Sequence, residues 1–171
     1  MINKNQLTER SFTPSQLSGF DGAHSIQLPV DFIHDLSKAD SLQAVLDTIA
    51  YWISHVFDAD RASITLQDTE EYLKLYSISG NHAIPMDFKI PIGQTFVGRV
   101  FAQSQLIICD DLAQSDELDC KMLSEHGMGT CMDAPMIHNG VCIGTLNVAD
   151  INVNITTPYN KRFFYRVSPL G

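Results

Sequence analysis

From Ser41 to Phe57 apolar residues fall at Leu42, Val45, Leu46, Ile49, Ala50, Ile53, Val56 and Phe57. This is the i, i+3, i+4, i+7 stripe of an amphipathic helix, and Ser41, or Asp40 before it, can cap its start. Phe32, Ile33 and Leu36 predict an earlier turn or short helix on the same side. Strand-like runs follow at 62–66 and at 73–79, the second with bulk on both faces, as in an inner strand. Ser79-Gly80-Asn81 signals a turn. A short strand at 88–91 leads to Gly93, a helix is predicted over 95–102, and a strand at 106–109 runs into Asp110-Asp111. A further helix over 117–126 stops at Gly127, the usual left-handed stop. Runs at 130–136 and 141–148, joined by His138-Asn139-Gly140, predict a hairpin, because Asn-Gly suits its tight turn.

Hairpins imply antiparallel pairing, so the order of elements predicts an α+β domain with helices on the faces of one antiparallel sheet. The 171 residues suit a single core with tails. Residues 1–28, polar and rich in Ser, Gln and Gly, read as a loosely held arm or linker in which Phe12, Leu17 and Phe20 can dock locally. The domain proper is expected over 29–155, and 156–171 reads as an irregular tail.

Composition narrows the function classes. With 44% hydrophobic and 18% charged residues, the chain has the balance of a folded domain. A net charge of −9, with Lys and Arg scattered, disfavours nucleic acid as a partner. No apolar run approaches the roughly 20 residues that span a bilayer, and Met1-Ile-Asn-Lys-Asn-Gln lacks a secretory layout. A cytoplasmic protein that does not engage membranes is expected.

Cys109, Cys120, Cys131 and Cys142 are evenly spaced, yet they fall on a strand, a helix and two strands, so the spacing is not expected to gather the sulfurs. Without a C-x-x-C they read as reduced, mostly buried thiols acting as small hydrophobes. The six histidines form no H-E-x-x-H and no i, i+4 pair, so no metal site is expected of them. The acidic stretch Asp110, Asp111, Asp116, Glu117 and Asp119 reads as a solvated loop and helix start. Gly93-Gln-Thr-Phe-Val-Gly98 lacks the Lys and Ser/Thr of a phosphate loop and reads as a turn feeding a helix.

Four stretches, in order, carry a resemblance: Asp58-Ala-Asp-Arg-Ala-Ser-Ile64, Ile90-Pro-Ile-Gly-Gln-Thr-Phe-Val-Gly-Arg-Val100, Ile107-Ile-Cys-Asp-Asp111 and Cys142-Ile-Gly-Thr-Leu-Asn-Val-Ala-Asp150. Over about 31–150 the chain resembles a GAF domain, a sensor module related to PAS domains. The resemblance implies a profilin-like central antiparallel sheet with helices on both faces and a pocket on one of them. It also implies a homodimer through the helix at 41–57 and an output domain such as a nucleotide cyclase, a diguanylate enzyme or a sensor kinase. Cyclic-nucleotide-binding relatives carry an Asn-Lys pair where this chain has Asn147-Val148, and no cysteine is followed by His as in bilin-binding relatives.

The expected function is regulatory, without catalysis: an unidentified small molecule sensed in the pocket, its state passed through the dimer. The expected lining is Phe96, Val97, Val100, Asp110, Thr130, Met132, Asp133 and Asn147, with the polar members orienting the ligand. No cofactor is named by these residues. One alternative is an interaction or dimerisation module whose pocket is filled by Phe96 and Met132. Another is a free methionine sulfoxide reductase working through Cys120 and Cys131; related enzymes carry a cysteine where this chain has Val97.

Overall fold

A computed structural model of the chain describes residues 9–13 and 29–153. The expectations for Leu17, Phe20 and the tail at 156–171 lie outside the described residues. In chain order the elements are β1 (Glu9–Phe12), α1 (Val30–Lys38), α2 (Leu42–Phe57), β2 (Arg61–Gln67), β3 (Tyr72–Gly80), β4 (Lys89–Pro91), α3 (Phe96–Gln103), β5 (Leu106–Cys109), α4 (Leu118–Glu125), β6 (Thr130–His138) and β7 (Val141–Asp150). Short 3-10 turns at Ile92–Gln94 and Leu112–Gln114 precede α3 and α4.

The strands form one seven-stranded antiparallel sheet in the order β1-β5-β6-β7-β2-β3-β4. With helices packed against it, this is the expected α+β architecture. The β6–β7 hairpin turns at Asn139 and Gly140, both at positive φ, as a tight antiparallel turn requires. One element departs from expectation. Glu9–Phe12, read as part of a loose arm, is an edge strand that satisfies the open side of β5. Two ion pairs fix it, Arg10 to Asp110 at 2.6 Å and Glu9 to Arg99 at 2.8 Å.

The short helix and the longer stripe predicted after it are separated by Ala39–Ser41. Ser41 adopts extended backbone and its Oγ accepts the Ala44 amide at 3.2 Å, so α2 starts at a proper N-cap. The apolar stripe of α2 lies on one face of the sheet, where Leu46 and Ala50 meet Ile64. Nearby, Ile53 and Phe57 pack with Ala62, Ile108, Met132 and Val148. The short α1 rides on α2: Trp52 Nε1 donates to Asp35 at 2.9 Å, and the Phe32 ring lies 6.2 Å from the Trp52 ring.

The other face carries α3 and α4 over a second core that includes Phe96, Val100, Leu73, Leu75, Ile90 and Ile107. Gly98 lets α3 press against the preceding turn, since a Cβ there would stand 2.2 Å from the Ile92 carbonyl oxygen. None of the described helices is long and apolar enough to cross a membrane.

Candidate functional site

Register decides what faces the α3 side. Successive side chains of a strand alternate between faces, and three rows run across the sheet. Asp133, Asn147 and Ser63 form one row; Cys131, Ala149 and Arg61 form the next; Pro135, Thr145 and Thr65 form the third. Arg61, Ser63, Thr65, Asp133 and Thr145 are buried although polar. A sheet face with this much polarity under two helices departs from an ordinary core.

Between that face and the helices lies a small, partly open cavity. Polar groups of Arg61, Ser63, Thr65, Asp119, Asp133 and Asn147 reach it, with Leu75, Ile84, Ile90, Val97 and Leu123 forming the apolar wall.

Some of these polar groups are committed to the fold. Asp119 Oδ1 accepts the Phe96 amide at 2.8 Å and the Cys120 amide at 3.0 Å, while Oδ2 accepts the Val97 amide at 2.9 Å. It closes the start of α3 together with Thr95, whose Oγ1 accepts the Gly98 amide at 3.1 Å. Thr65 and Thr145 hydroxyls share a hydrogen bond of 2.6 Å. Arg61 donates to the carbonyls of Asn81 and Ile84.

Others are uncommitted. Asn147 Nδ2 donates weakly to Ser63 Oγ at 3.4 Å, but its Oδ1 is buried without a partner among the described residues. Asp133 is 5% exposed and accepts no hydrogen bond among the described residues. Burial pushes its carboxyl well above the usual carboxylate range, and the Asp119 charge adds to this, while Arg61 pulls the other way. Burial likewise lowers the Arg61 guanidinium to about 10, opposed by the Asp133 charge.

Of the residues expected at the pocket, Val97, Asp133 and Asn147 are in its wall. Phe96 and Val100 sit in the core beneath α3, on the same side but outside the lining. Met132 points to the opposite face, packed in the α2-side core, and Thr130 shares its parity. Thr130, Met132 and Asp133 could not all have faced one side, because a strand has period two. Asp110 lies past the end of β5 and pairs with Arg10. Arg61, Ser63 and Thr65 were missed. Their alternation with Ala62 and Ile64 was the available signal, although it reads equally as a strand with a solvated face.

The cysteines need a correction. Cys109 stands opposite Cys131 in the β5–β6 register, and α4 lays Cys120 into the same cluster, so three of the four converge. Antiparallel pairing across the α4 insert does what linear spacing could not. The thiols of Cys120 and Cys131 favour the Cys109 anion and hold its pKa below the ordinary thiol value, and the same contact with Cys109 raises those of Cys120 and Cys131. Cys131 is part of the cavity wall. Cys142 is apart, its thiol donating to the Gly144 carbonyl at 3.3 Å. All four are free and buried. Among the described residues no group of three His, Cys, Asp or Glu is placed to hold a metal ion.

Comparison with known proteins follows the same lines. The family model for the GAF domain matches residues 41–167. No curated protein matches the chain. Among solved structures, the GAF domain of an Acinetobacter phosphoenolpyruvate-protein phosphotransferase superposes with a TM-score of 0.62 at 15% identity, covering 78% of this chain and 81% of that one. A GAF domain from A. aeolicus, solved in an inactive state, gives 0.64 at 12% identity, covering 80% and 83%. Free methionine-R-sulfoxide reductase from Neisseria meningitidis, solved with its substrate, gives 0.63 at 16% identity, covering 84% and 89%. At these identities the likeness is one of fold.

Proposed function

The chain belongs to the GAF domain family, and on that premise we propose that it is a regulatory module sensing a small molecule in the cavity on the α3 side of its sheet. The observation that carries this reading is the pair of uncommitted polar groups, the Asp133 carboxyl and Asn147 Oδ1, side by side in the β6–β7 register. A buried polar atom left unpaired costs about 1–3 kcal/mol. A purely structural core has no reason to keep the Asn147 oxygen unpaired beside a carboxyl that accepts no hydrogen bond among the described residues, whereas a ligand supplies partners for both. The silent-module alternative needed Phe96 and Met132 to fill the cavity, and neither lies in its wall.

Signalling requires that the ligand favour one arrangement of the module over another. A homodimer through α2 is the proposed route, with an output domain such as a cyclase, a diguanylate enzyme or a sensor kinase as its target. Exposed Leu42 and Tyr51 on α2 are available for such a contact. The test is a thermal-shift screen of the purified chain against nucleotides, cyclic nucleotides, amino acids, sulfoxides, haem and divalent metals. A ligand at about 100 times its dissociation constant adds about 2.7 kcal/mol, a shift of roughly 5–10 °C for a chain of this size. A flat screen with a folded protein would reject the sensor reading in favour of a silent interaction module.

A second reading is favoured by Cys131 in the cavity wall beside Cys109 and Cys120. These thiols would reduce free methionine sulfoxide, the activity named for the Neisseria meningitidis neighbour. Turnover that disappears in both Cys120→Ser and Cys131→Ser supports it; a wild-type chain without turnover removes it.

A further inference from the structure

Arg61 and Asp133 face the cavity without an ion pair between them. Arg61 on β2 is 3% exposed, and its hydrogen-bond partners are neutral carbonyls, with no ion pair among the described residues. Asp133 on β6 is equally enclosed and accepts no hydrogen bond among the described residues. Strand β7 lies between their two strands. A buried charge is tolerated when paired and costly when not. Arg61 lacks an anionic partner, and Asp133, kept protonated by its burial, would ionise beside a cation.

We infer that the cavity takes a small zwitterion with an apolar body, of the α-amino acid type: its carboxylate on Arg61, its ammonium on Asp133 and Asn147 Oδ1. This deepens the ligand-sensing reading and rests on it. The donor-acceptor inventory selects the class. Ammonium and guanidinium groups donate only and carboxylates accept only. An ammonium thus satisfies both uncommitted acceptors on β6 and β7, and a carboxylate satisfies the spare N–H groups of Arg61. A simple cation would meet the Arg61 charge without compensation. A simple anion would meet Asp119 and Asp133, and a phosphate-rich ligand would find Arg61 as the lone basic residue among the described residues of the wall. Ile84, Ile90 and Val97 offer an apolar side chain a dry wall.

The test uses L-leucine and L-methionine as probes, each beside its N-acetyl and methyl-ester forms, in thermal shift and calorimetry. The free amino acids are expected to raise the melting temperature by roughly 5–10 °C at about 100 times their dissociation constant, and blocking either end is expected to abolish the effect. Asp133→Asn should weaken binding on the order of 10–100-fold, the value of a hydrogen bond to a charged group. The same variant should melt no lower than wild type without ligand, because Asn replaces a protonated carboxyl of the same shape that accepts no hydrogen bond among the described residues. A merely structural Asp133 would instead lower the melting temperature and spare binding, which overturns the assignment. Equal shifts from blocked and free forms also overturn it. If amino acids give no shift while a nucleotide or haem does, the zwitterion is wrong and ligand sensing stands. If nothing in the whole screen binds, both fail.

Discussion

The Asp119 carboxylate stands 2.8 Å from the Phe96 amide nitrogen, reaching from α4 to the first turn of α3. It also accepts the amides of Val97 and Cys120, so one side chain satisfies three backbone donors that α-helix geometry leaves open. Its pKa is raised by burial despite those three hydrogen bonds. Asp119→Ala is expected to cost about 2–4 kcal/mol, from orphaned buried donors. Urea unfolding of the variant checks this; a loss well under 1 kcal/mol would mean that α3 is held by packing alone.

Gly98 offers a prediction in which two effects oppose each other. Helix propensity alone says that Ala in place of a helical Gly adds about 1 kcal/mol. Contact says otherwise, since the added Cβ would meet the Ile92 carbonyl oxygen at 2.2 Å and the Ile92 Cα at 2.5 Å, both backbone atoms. Overpacking against backbone costs about 1–3 kcal/mol or more, so Gly98→Ala should destabilise. Thermal or urea unfolding gives the sign directly.

At the start of α2 the Ser41 Oγ accepts the Ala44 amide on an exposed helix end. Ser41→Ala should cost about 1 kcal/mol, the usual value of such a cap. The same variant should leave cavity binding unchanged, because Ser41 lies on the opposite side of the sheet from the cavity lining.

The raised pKa of Asp133 fixes a pH dependence. The groups that bear on it are Asp119 and Glu117 near α4, Arg61 on β2 and Cys109 on β5. Burial dominates, so the folded state holds the Asp133 proton at pH values where the unfolded chain has released it. Between the two pKa values the unfolded state binds fewer protons, and stability falls as pH rises. Asp119 contributes with the same sign. The stability contributed by the protonated Asp133 is therefore complete below the ordinary carboxylate pKa and is lost as pH climbs through the raised one. Asp133→Asn should flatten this slope, as measured by urea unfolding across pH 3–8 (a range of roughly that width suffices). A variant with the wild-type slope would assign the dependence to other groups.

Much of the architecture was legible because periodicity and turn chemistry agree locally. The stripe from Leu42 to Phe57, the stop at Gly127 and the Asn139-Gly140 turn each point to one local structure, and each is found there. What was not legible is what depends on pairing. The sequence around Glu9–Phe12 has too few residues to announce a strand, and it becomes one through the edge of β5 and the ion partners of Arg10 and Glu9. The thiol cluster is likewise a product of register, as Cys109 meets Cys131 only once β5 and β6 are aligned.

The cavity wall divides in the same way. Asp133 and Asn147 were visible as polar residues in strands of apolar character, but Met132 shows that neighbouring positions on one strand cannot share a face. Arg61 was invisible for a different reason. A charged residue at a strand start is ordinarily solvated, and only the overlying segment that supplies the Asn81 and Ile84 carbonyls encloses it.

The central claim is that the uncommitted polar groups on β6 and β7 receive a ligand. The most direct measurement is a titration of the ¹⁵N-labelled chain with each compound of the screen, followed through the Asn147 side-chain amide and the backbone signals of Ser63 and Asp133. The account predicts that a compound stabilising the protein moves these signals in a saturable way and leaves those of Leu46 and Ala50, on the α2 face, in place. A stabilising compound that shifts the α2 face and not Asn147 would contradict it.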